Sequence, residues 1–397
     1  MHARWAPVFR RGESFGLFLA ALCAASLFTQ PATAQQPLPQ RIAPQFPGGP
    51  VPNKPQLGVL GERINANTIA VVSGNLNATY VTIAYDLSAV LDDGDDFRVL
   101  PVIGKGGGQN IKDVRFLKGV DLGITQANLL PYFKRTNEIG PIDDKIVYIA
   151  KLFNEEMHLI VRADSGITSI EQLAGKRVNF SDVGSGTQLS TRDIFERLGI
   201  KAEEVNMGQG DAFEKLKSGE IAATILIAGK PAGSMVKLKA ADGFRILPIA
   251  YPKPLQNDYL PATLTAEDYP GLIEPGQKIE TVAVSAVLIA FNWPKGTDRY
   301  RRIEKFVETF FPKLAEFQKV PRHPKWREAN LAAVLPGWKR FEGAEEWLRK
   351  HDAVAQGDRG QFDQFLAGRR EQAASLPSEE RDRLFQEFLA WKARERR

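Results

Sequence analysis

The chain has 397 residues, 43% hydrophobic and 25% charged, with a formal net charge of +5. That apolar fraction is ample for a packed core and excludes an intrinsically disordered chain. The single cysteine, Cys23, lies in the N-terminal leader, so the mature chain is expected to have neither a disulfide nor a catalytic thiol. Four histidines without ligand spacing argue against a transition-metal site, and no basic stripe interleaved with aromatics points to nucleic acid.

Residues 1–34 read as an address. Arg4, Arg10 and Arg11 form a basic n-region, Phe15 to Phe28 an apolar run of 14 residues, and Ala32-Thr33-Ala34 a cleavage site. The run is short for a membrane span, so the expectation is a cleaved signal peptide and a periplasmic protein. Cys23 leaves with the leader. Arg10-Arg11 fits an ordinary n-region better than a twin-arginine signal. Seven prolines within residues 35–55 predict a disordered tether.

From Thr68 onward strands and helices alternate. Thr68 to Ser73 is a β-branched run. Tyr80, Ile83, Ala84, Leu87, Val90 and Leu91 then keep to one helical face, which Asp92-Asp93-Gly94 ends. Strands are predicted over 97–103, 120–125, 145–150, 157–161, 176–180, 221–227 and 244–249, and helices over 109–118, 187–198 and 211–216. This order predicts an α/β chain whose sheet is mostly parallel and covered on both faces. Residues 156–161 and 281–290 read as strands crossing between two lobes. Lobe 1 is then 56–160 with 281–397, and lobe 2 is the insertion 161–280. The C-terminal region is helical, with Tyr300, Ile303, Phe306, Val307, Phe310 and Leu314 as its stripe and Trp326, Trp338 and Trp347 as packing anchors. Phe385, Phe388, Leu389 and Trp391 mark an amphipathic tail that docks on lobe 1.

The chemistry sits in glycine-rich corners where strand passes to helix. Gly184-Ser185-Gly186-Thr187 places free backbone N–H groups and two hydroxyls at a helix start, a cradle for a small anion. Ser185 fits a helix cap and an anion donor, with Thr187 as the alternative cap; it lacks the flanking glycines of a nucleophile elbow. Ser73-Gly74 through Thr79 and Gly104 through Asn110 repeat the design. The second is neither a dinucleotide fingerprint nor a P-loop, because Gln109 stands at the last glycine position and Lys105 precedes the glycines. Gly229 to Gly233 follows another strand, where Lys230 fits a ligand counter-charge and a surface lysine equally well. His158, among apolar neighbours, reads as a satisfied core residue. Asp92 to Asp96 lacks the closing glutamate of a calcium loop.

In order along the chain, Asn77-Ala78-Thr79-Tyr80, Gly106 to Gln126, Ile167 to Gly175 with Val183 to Thr187, and Ala223 to Pro231 resemble the substrate-binding subunits of tripartite ATP-independent periplasmic (TRAP) transporters, in the TAXI branch. Tyr269-Pro270-Gly271, Thr281 to Val284, His323-Pro324-Lys325-Trp326 and Leu335-Pro336-Gly337-Trp338 extend the match. The resemblance implies the two-lobed type 2 periplasmic binding protein fold. It implies two lobes that close over a small organic acid or amino acid, of the glutamate or 2-oxo-acid type, and deliver it to a TRAP-type permease. The protein is expected to be a monomer. Glycine at 108, where the family usually has serine, favours a more anionic or bulkier ligand. The expected ligand-binding residues are Gly74, Asn77, Tyr80, Gly106, Gly107, Gln126, Ser185, Gly186, Thr187 and Lys230. No catalytic residue, cofactor or metal is expected. A sensing module for a membrane signalling partner, or an exported enzyme on the same fold, are the alternatives.

Overall fold

A computed structural model describes residues 58–76 and 78–351. The leader, the proline tether, Asn77 and the amphipathic tail lie outside the described residues. No described helix is long and apolar enough to cross a membrane, and no described cluster of His, Cys, Asp and Glu could hold a metal ion.

The first part of the chain runs α1 (Val59–Ala66), β1 (Thr68–Val72), α2 (Thr79–Leu91), β2 (Arg98–Val102), α3 (Gly107–Phe116), β3 (Leu122–Gln126) and α4 (Leu129–Thr136) into β4 (Ile146–Arg162). There follow β5 (Arg177–Asn179), α5 (Gly186–Arg197), β6 (Glu203–Val205), α6 (Gln209–Ser218), β7 (Ala223–Ala228), β8 (Phe244–Ile246), β9 (Leu260–Thr265) and β10 (Lys278–Phe291). The C-terminal region carries α7 (Asp298–Phe310), short helical turns, and a helix from residue 342 to the last described residue.

All ten strands among the described residues share one sheet, in the order β2-β1-β3-β10-β4-β7-β5-β6, with β8 on β4 and β9 on β10. The expectation of a mostly parallel sheet is corrected. β1 is parallel to β2 and β3, and β5 to β6 and β7, but β10 is antiparallel to β3, β4 and β9, and β4 to β7 and β8. The sheet is mixed because the chain leaves the first lobe on β4 and returns on β10. Two strands carrying chain in opposite directions through one place must pair antiparallel. The two short strands expected over 145–150 and 157–161 are one strand of 17 residues, continuous through Glu155 and Glu156. α1, α4, β6 and β9 were not anticipated; each is short, and α1 buries nothing.

The long strands define two lobes. Val147 to Phe153 of β4 and Ala286 to Ala290 of β10 pack with Ile83, Leu87, Phe306, Phe310 and Trp326. Met157 to Val161 of β4 and Val282 and Val284 of β10 pack with Val178, Ile194, Phe195 and Ile225. Further apolar clusters cover the opposite face, around Ile111, Leu129, Phe133 and Val287 in the first lobe and around Ile160, Leu216, Met235 and Ile279 in the second. The α2 stripe lies as its spacing predicts, with Ile83, Ala84, Leu87 and Leu91 fully buried. It also buries Asp86, which accepts from the His323 amide and Trp326 Nε1, both at 2.9 Å, and so fixes the turn at 324–328 against the helix.

His158 is fully buried on β4, as its apolar surroundings suggest. The Tyr269 hydroxyl accepts from the Ala232 amide at 2.8 Å, so its own proton goes to His158 Nε2 at 2.7 Å. Nδ1–H then donates to the Leu226 carbonyl at 3.2 Å. Burial holds the imidazole neutral and pushes its pKa down to about 4. A group easier to protonate unfolded than folded stabilises the fold above its unfolded pKa and loses that contribution as pH falls from about 6.5 towards 4. We therefore expect wild type, in thermal unfolding between pH 7 and 4.5, to lose up to about 3 kcal/mol more than a His158→Gln variant. Parallel pH curves for the two proteins would count against it.

Candidate ligand-binding site

Four described helices begin at one cavity. α2 follows the corner after β1, α3 the corner after β2, α5 the corner after β5 and α6 the corner after β6, so two helix starts belong to each lobe. Asn110 ties the first two corners together: its buried side-chain amide donates to the carbonyls of Ser73 (2.9 Å), Ile124 (2.7 Å) and Val72 (3.3 Å). Ser185 caps α5, its hydroxyl accepting from the Gln188 amide at 3.1 Å. The amides of Gly186 and Thr187 then have no partner among the described residues and face the cavity. First-turn N–H groups and the aligned helix dipole make such an end attractive to an anion.

The cavity measures about 220 Å³, on the order of seven water volumes at ~30 Å³ each. That is room for a molecule of amino-acid size. Gly74, Tyr80, Gly106, Gly107, Gln126, Ser185, Gly186 and Thr187 all line it, so eight of the ten expected residues come together. Asn77 lies outside the described residues. Lys230 does not line the cavity: its ammonium is bound to the Thr263 carbonyl at 2.7 Å and to Asp268 at 3.0 Å. The cation on the lining is Lys105, exposed and without an ion-pair partner among the described residues. Thr187 presents its amide rather than its hydroxyl, which accepts from the Ile227 amide and donates to the Ile227 carbonyl.

The lobes meet along a seam beside the cavity. The Gln109 amide donates to the Gly184 carbonyl at 2.9 Å, Ser190 donates to Gln126 Oε1 at 2.6 Å, Asn128 donates to Ser190 at 2.9 Å, and Arg135 pairs with buried Asp193 at 2.7 Å. At the narrowest point the backbones of Gly107 and Gly186 touch. A methyl on Gly107 would collide with the Cα and amide nitrogen of Gly186. Gly107 also has φ +37, which disfavours any side chain.

Sequence reasoning missed the floor. Glu155 of β4 lines the cavity and is 3% exposed. Its Oε2 accepts from the Tyr80 hydroxyl at 2.5 Å and from Gln126 Nε2 at 3.0 Å. Burial raises its carboxyl to about pH 7 against the opposing pull of those two donors. Burial and the neighbouring carboxylate raise the Tyr80 phenol well above its ordinary value, which keeps it a donor. Glu156 points the other way, accepting from Lys325 Nζ at 2.6 Å and from the Lys230 amide at 3.0 Å; Lys325 is 2% exposed and also meets Glu328 at 2.8 Å. Removing one partner of so buried a pair costs about 3–5 kcal/mol. The available signal was two adjacent glutamates between the apolar-rich runs 146–153 and 157–161. Ser181, at φ +68 on the lining, carried no signal.

A model of the NMT1-like family matches residues 74–348. Among solved structures, the chain is similar to a periplasmic transporter, at 16% identity over 74% of this chain and 97% of that one, with a TM-score of 0.43. It is similar to the amino acid ABC transporter substrate-binding protein AbpA from Streptococcus pneumoniae, bound to L-arginine, at 14% identity over 67% and 98%, TM-score 0.39. It is also similar to the periplasmic aliphatic sulphonate binding protein SsuA from Escherichia coli, at 15% identity over 64% and 71%, TM-score 0.37.

The Gly107–Gly186 contact gives a test of closure. Gly107→Ala should hold the lobes apart, enlarging the radius of gyration in X-ray scattering and lowering stability by on the order of 2 kcal/mol. Gly210→Ala, with nothing near the added methyl, should leave both unchanged or gain about 1 kcal/mol from helix propensity. Identical scattering from Gly107→Ala and wild type would refute the contact.

Proposed function

The chain belongs to the NMT1-like family, and from that premise we propose that it is a periplasmic solute-binding protein of the TAXI type. It captures a small organic anion or amino acid, glutamate-like or 2-oxo-acid-like, and hands it to a TRAP-type permease. The observation that carries this reading is the convergence of four helix starts, two from each lobe, on one cavity. Gly107, Gly186 and Thr187 offer backbone N–H groups to a carboxylate, Ser185 holds the third helix in register, and Lys105 adds positive charge at the mouth. Gly74 and Gly106 keep the corners low enough for the ligand to approach, and Tyr80 and Gln126 line the floor.

In this reading residues 56–160 and 281–397 form lobe 1 and 161–280 lobe 2. β4 and β10 bend between open and closed forms, and the ligand is bound when the seam closes. The leader is removed on export, the mature protein acts as a periplasmic monomer, and the work of the site is capture and release without turnover.

A ligand that binds only the folded form stabilises it by about 2.7 kcal/mol at a hundred times its dissociation constant. Protein stripped of ligand by unfolding and refolding should therefore gain several degrees of melting temperature with at least one member of a panel of amino acids, 2-oxo acids and dicarboxylates. Gly107→Ala should lose that gain. A flat response across the panel from demonstrably ligand-free protein would defeat the proposal.

A further inference from the structure

The cavity is built for two opposite charges, and only one of them belongs to an anion site. Helix starts and Lys105 supply positive potential on its walls. The floor is a carboxylate. Both donors to Glu155 go to Oε2, and Oε1 receives none from the described residues although the side chain is almost wholly buried. A buried carboxylate with an unused oxygen aimed at a cavity is costly unless a ligand completes it. Tyr80 and Gln126 orient that oxygen: each is itself buried, and Gln126 is held at its other end by Ser190.

We infer that Glu155 is a specificity-determining residue that accepts a hydrogen bond from a ligand ammonium, so that the site takes an α-amino acid in preference to the 2-oxo acid of the same skeleton. The inference rests on the capture reading above and narrows it. An amino acid presents its carboxylate to the helix starts and its ammonium to Glu155 Oε1. The matching 2-oxo acid turns a carbonyl oxygen towards the carboxylate, which leaves Oε1 unpaired and sets two acceptors against each other.

The sign of the pH dependence separates this from the converse arrangement, in which a protonated Glu155 donates to a ligand oxygen. The charged and titratable groups around Glu155 are Tyr80 on α2, Glu156 beside it on β4, Lys325 in the turn at 324–328, and Lys105 on the cavity wall. Tyr80 keeps its proton throughout the working range, so Glu155 is the group that changes charge there. Ammonium binding needs the ionised carboxylate and weakens as pH falls below about 7, by up to tenfold per unit. Donation from a protonated carboxyl would instead strengthen.

The test titrates ligand-free protein with matched pairs: L-glutamate against 2-oxoglutarate, and L-leucine against 4-methyl-2-oxopentanoate, by calorimetry at pH 5.5, 7 and 8.5. The expected result is tighter binding of the amino member of a pair by on the order of 100-fold at pH 8.5, with the gap narrowing at pH 5.5. In Glu155→Gln, which keeps shape and removes charge, the preference should fall to within about tenfold. If the 2-oxo acids bind as well or better, or the gap widens at low pH, the inference fails while the capture reading stands. If Glu155→Gln folds with its preference intact, the inference fails too. Where that variant does not fold, the pH series on wild type decides alone. Binding by neither member of any pair would overturn the inference and the capture reading together.

Discussion

The molecule depends on the pairing of β4 with β10. Their antiparallel ladder runs from Ile146 opposite Phe291 to Glu156 opposite Ala283, with two register irregularities. Each lobe builds its core on one end of this ladder, so neither core is independent of the other. A sheet is stiff within its plane and soft to twisting, and a two-strand bridge between two packed cores is the natural place for a hinge. The ladder also sets the position of the floor. Side chains alternate along a strand, so Glu155 turns to the cavity and Glu156 turns away to Lys325.

That alternation gives two adjacent glutamates opposite fates. Glu156 is satisfied inside the fold by a buried lysine and by the amide of residue 230, and it binds the turn at 324–328 and the loop after β7 to the same strand. Glu155 is satisfied on one oxygen only. Burial raises both carboxyls, but Glu156 has a fully buried cation to oppose that rise, whereas Glu155 has two neutral donors. The first residue is structural because its partners are complete, and the second is chemical because they are not.

The walls follow from backbone rather than side-chain chemistry. Helix starts leave N–H groups unpaired, and here they are brought together from separate parts of the chain by the sheet and by Asn110. The approach of Gly107 to Gly186 lets α3 and α5 face each other at close range. The bonds from Ser190, Asn128 and Arg135 then hold the two lobes in that relation.

Much of the site is legible in the order of the residues alone. Strand-to-helix corners rich in glycine and serine are marked as anion cradles by local rules, and eight of the ten residues expected from the corners and the family resemblance together line one cavity. The α2 stripe, the Ser185 cap and the buried state of His158 are likewise properties of neighbouring residues in sequence. Tertiary structure alone decided which strands run antiparallel, because direction depends on the path of the whole chain. It decided that Lys105 and not Lys230 faces the cavity, since Asp268 and Thr263 reach Lys230 from 33 to 38 residues away. It also decided that Glu155 is the floor. A carboxylate in an apolar strand can face either side of a sheet, and only the packing of α2 above it, with Tyr80 and Gln126 in place, settles which.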